Sequence, residues 1–147
     1  MIIKSITPSD TFTVRHPVFQ ADRPIEYCYF ELDNHASSIH LGMEFNGEII
    51  AVLSALPIKC ENFPNLMSMR LRGIATLHPF QKKGLGSQLM IEIEKRLLKL
   101  KKIKLLWLNA RISAKSFYQN LGYKTIGKTF NVQGIGVHQF MYKKLLE

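Results

Sequence analysis

The chain of 147 residues is 46% hydrophobic and 21% charged, which suits a single folded domain over residues 1–147 and excludes long disordered tails. Its first residues lack the long apolar stretch of a signal peptide or membrane span, so we expect a cytoplasmic protein that does not associate with membranes. The two cysteines form no Cys-x-x-Cys pair, so no metal site is expected, and the formal net charge of +9 indicates anionic partners.

The N-terminal region is predicted to hold a strand, a helix and an irregular segment. Met1 to Ile6 alternates like a strand, and Thr7-Pro8-Ser9-Asp10 supplies a turn and a helix cap. Pro17 and Pro24 predict that the following stretch is a broken helix or a shaped loop. Tyr27 to Phe30 reads as a short extended piece.

The middle of the chain is predicted to form three strands in a meander. Ile39 to Phe45 and Glu48 to Leu53 flank Asn46-Gly47, the turn dipeptide most typical of a two-residue hairpin. Leu66 to Leu77 returns as a third strand that ends at His78-Pro79.

Beyond Gly84 the apolar period changes to that of a helix. Leu85, Leu89, Ile93 and Leu97 recur at helical spacing, with Met90 and Leu98 widening the stripe. A buried strand over Ile103 to Leu108 comes next. Further elements are predicted as a helix from Ser113, its cap, to Leu121 before Gly122, and two strands, Tyr123 to Phe130 and Val137 to Leu145. This order predicts an α+β fold, a mixed and mostly antiparallel sheet flanked by helices.

The turn between the third strand and the long helix has the features of an anion site. Its sequence is Gln81-Lys82-Lys83-Gly84-Leu85-Gly86, followed by Ser87. Glycines allow close approach of a ligand, and the first N–H groups of a helix are unpaired and favour negative charge. The spacing fits neither a Walker loop nor a dinucleotide-binding turn. Two glycines that ease a tight turn would explain the pattern equally well.

Two segments together resemble one family. Leu77-His78-Pro79-Phe80-Gln81-Lys82-Lys83-Gly84-Leu85-Gly86 is similar to the acetyl-CoA motif of the GCN5-related N-acetyltransferase (GNAT) family, and Ala114-Lys115-Ser116-Phe117-Tyr118-Gln119-Asn120-Leu121-Gly122-Tyr123 is similar to its second signature. The resemblance covers the segment from Arg70 to Tyr123. The region before His40 matches no motif of known role.

The resemblance implies a GNAT-like fold and transfer of an acetyl (acyl) group from acetyl-CoA to a primary amine by direct attack on the thioester. It assigns backbone groups of Ala75, Thr76 and Leu77 to the pantetheine arm. Tyr118 would protonate the departing thiolate, a role that suits a phenol because its ordinary pKa is near about 10. The pyrophosphate would be held by Gln81, Lys82, Lys83, Gly84, Leu85, Gly86 and Ser87.

Two departures from the family pattern concern the cofactor contact and the base. Many relatives have Asn where this chain has Arg111, and Asn109 stands two residues earlier, so both are cofactor candidates, with an acidic substrate group as the alternative for Arg111. Arg70 and Arg72 occupy the strand that carries a Glu base in many relatives. Both face one side of that strand, and they would recognise a carboxylate or phosphate on the acceptor if that side is the cleft, or be surface charges otherwise.

The base therefore stays open. Amine deprotonation could use water alone or one of six candidates, Glu26, Glu31, Asp33, His40, Glu44 and His78. A lone histidine on a strand, such as His40, is more often structural than catalytic.

Two other classes of function are considered. One is a catalytically silent acyl-CoA-binding or sensor domain, and the other is a nucleic-acid-binding module suggested by the net charge. No zinc-finger or RNA-binding signature supports the second, and many of the basic residues cluster near the proposed cofactor loop. The expected partners are acetyl-CoA and a small-molecule or peptide amine, and a homodimer stays open.

Overall fold

Eight strands form one sheet in the computed structural model, which describes residues 1–146. The strands are β1 Ile2–Ser5, β2 Ile39–Phe45, β3 Glu48–Leu56, β4 Ser68–Thr76, β5 Leu105–Arg111, β6 Lys124–Thr125, β7 Phe130–Val132 and β8 Gly136–Lys144. Their order across the sheet is β1-β2-β3-β4-β5-β8-β6, and β7 also pairs with β8. Among these strands only β4 and β5 pair in parallel, which confirms the predicted mixed, mostly antiparallel sheet.

Helices cover both faces of this sheet. They are α1 Pro8–Phe19, α2 Leu85–Leu100 and α3 Lys115–Asn120. Ala51 packs in the large core that includes Leu89 and Ile93 of α2, whereas Val52 packs with Val14 of α1. Because neighbouring residues of a strand point to opposite faces, α1 and α2 lie on opposite sides of β3. No helix within residues 1–146 has the length and apolar character needed to cross a membrane.

The N-terminal elements agree in part with the sequence predictions. Thr7 caps α1 as expected, because its hydroxyl accepts from the Asp10 N–H at 3.2 Å while the Asp10 carboxylate accepts from the Thr7 N–H at 3.0 Å. The predicted break at Pro17 is wrong, since α1 continues to Phe19. The carbonyl that Pro17 leaves without a donor belongs to the exposed Thr13 and can be hydrated. The predicted extended piece from Tyr27 is also wrong, because Ile25–Cys28 is a 3-10 turn.

The hairpin and the long helix are confirmed. Asn46 and Gly47 both have positive φ, 51° and 81°, as a type I′ turn requires. The predicted apolar stripe of α2 is buried, as shown by Leu85, Leu89 and Ile93. The third strand is shorter than expected by two residues at its start and one at its end.

The second half of the chain departs from the predictions in three places. β5 runs to Arg111, which makes Asn109 a strand residue as well. Ser113 is not a helix cap, because it lies in a 3-10 turn and α3 begins at Lys115 without a side-chain cap; Gly122 follows the helix with φ 94°, as expected. The strand predicted over 123–130 is split into β6 and β7, which pair with different parts of β8.

The feature that creates the site is the divergence of β4 from β5. The two strands pair only from Ser68 to Arg70 with Leu105 to Trp107. Beyond that point β5 stays with β8 as far as the Arg111–His138 pair, while β4 stays with β3. An unpaired gap therefore opens between the two central strands.

Candidate active site

A cleft of about 730 Å³ occupies the gap between β4 and β5. Five residues predicted from the sequence line it together: Arg70, Arg72, Asn109, Arg111 and Tyr118. The end of α1, the 3-10 turn after it and the loop between β7 and β8 complete the walls. The sequence left open whether Arg70 and Arg72 face the cleft or the solvent. Both face the cleft.

The loop from Gln81 to Ser87 lies at the start of α2 and presents free backbone donors. None of the N–H groups from Lys82 to Ser87 has an acceptor within residues 1–146. Lys82 and Gly84 have positive φ, 62° and 80°. Where residues of right-handed and left-handed backbone conformation alternate, successive N–H groups can point toward one anion. A Cβ at Gly84 would meet nothing within 4 Å, so the space in front of the loop is open. These features fit a pyrophosphate.

The side chain of Gln81 is used to hold this loop to β4. Its Nε2 donates to the carbonyl of Thr76 at 2.9 Å. The amide therefore fixes the distance between the end of β4 and the start of α2. A direct contact of the Gln81 side chain with a ligand would have to break that hydrogen bond.

The backbone at the end of β4 directs the three residues predicted to contact pantetheine, Ala75, Thr76 and Leu77, to different sides of the strand. The Leu77 N–H donates to Ile50 of β3 at 2.9 Å, and its carbonyl accepts from the Phe80 N–H at 2.9 Å. Backbone groups alternate in direction along a strand, so Ala75 also turns its N–H toward β3. Thr76, and Ile74 before it, point toward the gap instead. The sequence did not suggest Ile74, because it does not show which residues of β4 turn their backbone groups toward the gap.

Tyr118 belongs to the cleft wall and is only 8% exposed. Its ring packs edge-on against Phe117 at 5.0 Å and Tyr123 at 6.1 Å between centroids. Its hydroxyl has no hydrogen-bond partner within residues 1–146. Burial raises the pKa of Tyr118 to about 12, so the phenol keeps its proton at neutral pH. The hydroxyl is thus a hydrogen-bond donor without an acceptor among residues 1–146.

The two motif segments are in direct contact. A Cβ added at Gly86 would stand 3.3 Å from the ring of Phe117. Glycine therefore lets the first turn of α2 approach the helix that carries Tyr118. The loop and the phenol are held in one arrangement by this contact.

None of the six base candidates named from the sequence lines the cleft. Asp33 is paired with Arg15, with 2.7 Å between the carboxylate Oδ2 and Nη1. His40 lies 2.6 Å from the Ser54 hydroxyl and borders a separate cavity of about 360 Å³. Glu44 is paired with Lys4. These contacts give structural roles to the three best-placed candidates.

His138 is a cleft residue that sequence reasoning missed. It lies opposite Arg111 in the β5–β8 pair and is 8% exposed. Its Nδ1 is 2.8 Å from the Gly136 carbonyl, so Nδ1 carries a hydrogen, and the neutral form of the ring has its lone pair on Nε2. No partner for Nε2 exists within residues 1–146. His138 reaches the cleft through the pairing of β8 with β5, and no local sequence motif predicts that position.

Residues 28–145 match a family model described as an acetyltransferase (GNAT) domain. The chain is 34% identical over 143 residues to the uncharacterised N-acetyltransferase YitI of Bacillus subtilis (strain 168), with 97% of this chain and 95% of that protein covered. It also matches the solved structure of an aminoglycoside 6'-N-acetyltransferase complexed with coenzyme A, at TM-score 0.79 and 14% identity, over 100% of this chain and 98% of that chain. A solved acyl-CoA N-acyltransferase from Pseudomonas aeruginosa matches at TM-score 0.76 and 17% identity, with 97% and 99% covered. These two structures share the fold.

Proposed function

The chain belongs to the GNAT family of N-acetyltransferases and transfers an acetyl group from acetyl-CoA to an amine, and we propose that it does so in the gap between β4 and β5. The observation that carries the proposal is the row of unpartnered N–H groups from Lys82 to Ser87, in the loop that follows the end of β4 and is tied to it by the Gln81–Thr76 hydrogen bond. The unpartnered hydroxyl of Tyr118, a largely buried residue of the cleft wall, supplies the second, catalytic feature.

The donor site combines the loop before α2 with the open edge of β4. The N–H groups of the loop hold the pyrophosphate, and the side chains of Lys82 and Lys83, both exposed, add positive charge. Thr76 and Ile74 offer backbone groups along the open edge of β4 to the amide-containing arm. This arrangement brings the thioester to the cleft.

The chemistry forms a nitrogen–carbon bond and breaks the carbon–sulfur bond of the thioester, so the amine loses a proton and the sulfur gains one. His138 takes the proton of the amine on Nε2. Tyr118 donates a hydrogen bond to the departing sulfur. With a pKa of about 12, it stabilises the thiolate through this hydrogen bond and keeps its own proton, and the released thiolate takes its proton from solvent.

The acceptor is a small-molecule or peptide amine that enters from the side of α1. An aminoglycoside, the acceptor named for one similar structure, carries several ammonium groups and would be repelled by a cleft lined with arginines. The nucleic-acid-binding and silent sensor alternatives receive no support from the similar proteins, which are named as acetyltransferases or acyltransferases.

Titration calorimetry with acetyl-CoA, followed by an assay of thiol release with a library of primary amines, tests the proposal. We expect saturable binding, and thiol release that depends on at least one amine. Binding without release for any amine would favour a silent acyl-CoA-binding domain. Absence of binding would contradict the assigned donor site.

A further inference from the structure

The wall of the cleft carries an excess of positive charge. Among its lining residues within 1–146 are five arginines, but no Asp, Glu or Lys. Arg15 is neutralised by the bidentate contact with Asp33 behind the wall. Within residues 1–146, no carboxylate lies within 4.0 Å of the other four, which are Arg23, Arg70, Arg72 and Arg111.

Aromatic rings orient three of these arginines and leave their donors free. Stacking on a ring uses the face of a guanidinium and keeps its in-plane N–H groups available for a bidentate acceptor. No hydrogen bond to protein is made by any of the three within the described residues, and the Nε of Arg70 is buried without a partner. The guanidinium carbons stand over ring centroids, Arg70 over Trp107 at 5.2 Å, Arg72 over Phe30 at 4.1 Å and Arg111 over Phe19 at 5.6 Å.

Two of the arginines are crowded and partly buried. Burial, and then the charge of Arg72, lower the pKa of Arg70 to about 10, so it still carries its charge at neutral pH. Burial, and then the charge of Arg15, also lower the pKa of Arg72, with Asp33 opposing. An anion between them would relieve this repulsion and supply the missing acceptors.

We propose that the acceptor amine carries a carboxylate or a phosphate, which Arg70, Arg72 and Arg111 bind on the α1 face of the cleft. This inference rests on the proposed acetyl transfer. The anion anchors the acceptor, and its amine then faces the thioester between Tyr118 and His138.

The phosphates of the donor do not explain Arg70 and Arg72. Met69 and Leu71 pack in the core on the α2 face of β4, so Arg70 and Arg72 point to the opposite face. A strand rise of about 3.3 Å per residue places Arg70 roughly 20 Å before Thr76, and the pyrophosphate loop lies beyond Thr76. We therefore assign these arginines to a second anion, which the acceptor carries.

Matched acceptor pairs test the inference. The pairs are L-amino acids with their C-terminal amides, and phosphoethanolamine with ethanolamine, each assayed by thiol release at saturating acetyl-CoA. We expect the acidic member of at least one pair to have a kcat/KM about tenfold or more above its neutral partner. The two arms distinguish carboxylate from phosphate. Equal or better use of the neutral member in every pair, or no reaction of any acidic member, would overturn the inference.

Variants separate this inference from the proposed function. Arg72→Gln and Arg70→Gln should each remove most of the preference for the acidic member and leave the Kd for acetyl-CoA unchanged. Arg96→Gln removes the same charge from a half-buried arginine that is paired with Glu92 outside the cleft, and it should keep the preference. If wild-type protein binds acetyl-CoA but shows no preference, only the acceptor inference fails. If it does not bind acetyl-CoA, the proposed function fails.

Discussion

At the scale of single residues, the hydroxyl of Tyr118 is the most specific feature of the site. Tyr118→Phe keeps the packing against Phe117 and Tyr123 and removes only an oxygen that has no partner within residues 1–146. We expect kcat to fall about 10- to 100-fold, the effect of one lost hydrogen bond to a developing charge, with little change in the free energy of unfolding.

Tyr123→Phe is the matched control for that experiment. The Tyr123 hydroxyl bonds to Glu94 at 3.1 Å and is not part of the cleft wall. Its loss should lower stability by about 1 kcal/mol and leave kcat unchanged. The reverse outcome, a slow Tyr123→Phe and an active Tyr118→Phe, would remove Tyr118 from the mechanism.

The pH dependence of the rate follows from the raised pKa of Tyr118. A group with pKa about 12 is protonated at every pH well below that value, so its donor function is kept through neutral and mildly alkaline pH. At saturating acceptor, kcat should therefore show no decline that depends on Tyr118 below about pH 11. A decline near pH 9 that disappears in Tyr118→Phe would contradict the buried, protonated phenol.

His138 can be tested by a substitution that keeps its structural hydrogen bond. In His138→Asn the amide nitrogen can still donate to the Gly136 carbonyl, but the Nε2 lone pair is lost. We expect kcat to fall about 100-fold or more and added imidazole to restore part of it. Wild-type kcat, or a loss that imidazole cannot rescue, would assign His138 a positioning role or none.

At the scale of elements, the start of α2 makes a prediction about donor binding. Gly84→Asp places a negative charge in the open space before the loop, and we expect the Kd for acetyl-CoA to rise about 10- to 100-fold. Gly127→Asp is the control, because Gly127 has nearly the same φ, 78° against 80°, and equally open surroundings, but lies between β6 and β7 and not at the start of α2. Equal affinities of the two variants would refute the loop assignment.

Elements with a strong local signal were predictable, and those set by distant partners were not. Asn46-Gly47 fixes its hairpin because few dipeptides adopt two positive φ values. Ser113 failed as a cap because a 3-10 turn comes first, and Pro17 failed as a break because water can satisfy the exposed carbonyl it leaves. Five residues named from the sequence, Arg70, Arg72, Asn109, Arg111 and Tyr118, line one cleft, and their roles stay predictions. His138 was not predicted as a cleft residue, because it reaches the cleft only through the pairing of β8 with β5.

At the scale of the whole molecule, a buried ion pair joins α1, the loop before β2 and the central sheet. Arg15 bonds to Asp33, to the Cys28 carbonyl at 2.9 Å and to the Ser54 hydroxyl at 2.8 Å, all beneath the cleft. Asp33→Asn would leave a buried guanidinium unpaired, and we expect a loss of about 3–5 kcal/mol in the free energy of unfolding, measured by denaturant titration.

Glu92→Gln is the control for this stability prediction. Glu92 pairs with Arg96 on the surface of α2, a kind of contact that contributes about 0.5 kcal/mol or less. A loss for Asp33→Asn no larger than for Glu92→Gln would show that the buried pair does not hold the acceptor wall in place.

The central claim is that the thioester lies in the gap between β4 and β5, with its phosphates on the loop of α2. A crystal structure of the complex with acetyl-CoA tests this most directly. The account predicts the pyrophosphate on the N–H groups from Lys82 to Ser87, and the sulfur within hydrogen-bonding distance of the Tyr118 hydroxyl. Acetyl-CoA bound elsewhere, or a sulfur out of reach of Tyr118, would contradict it.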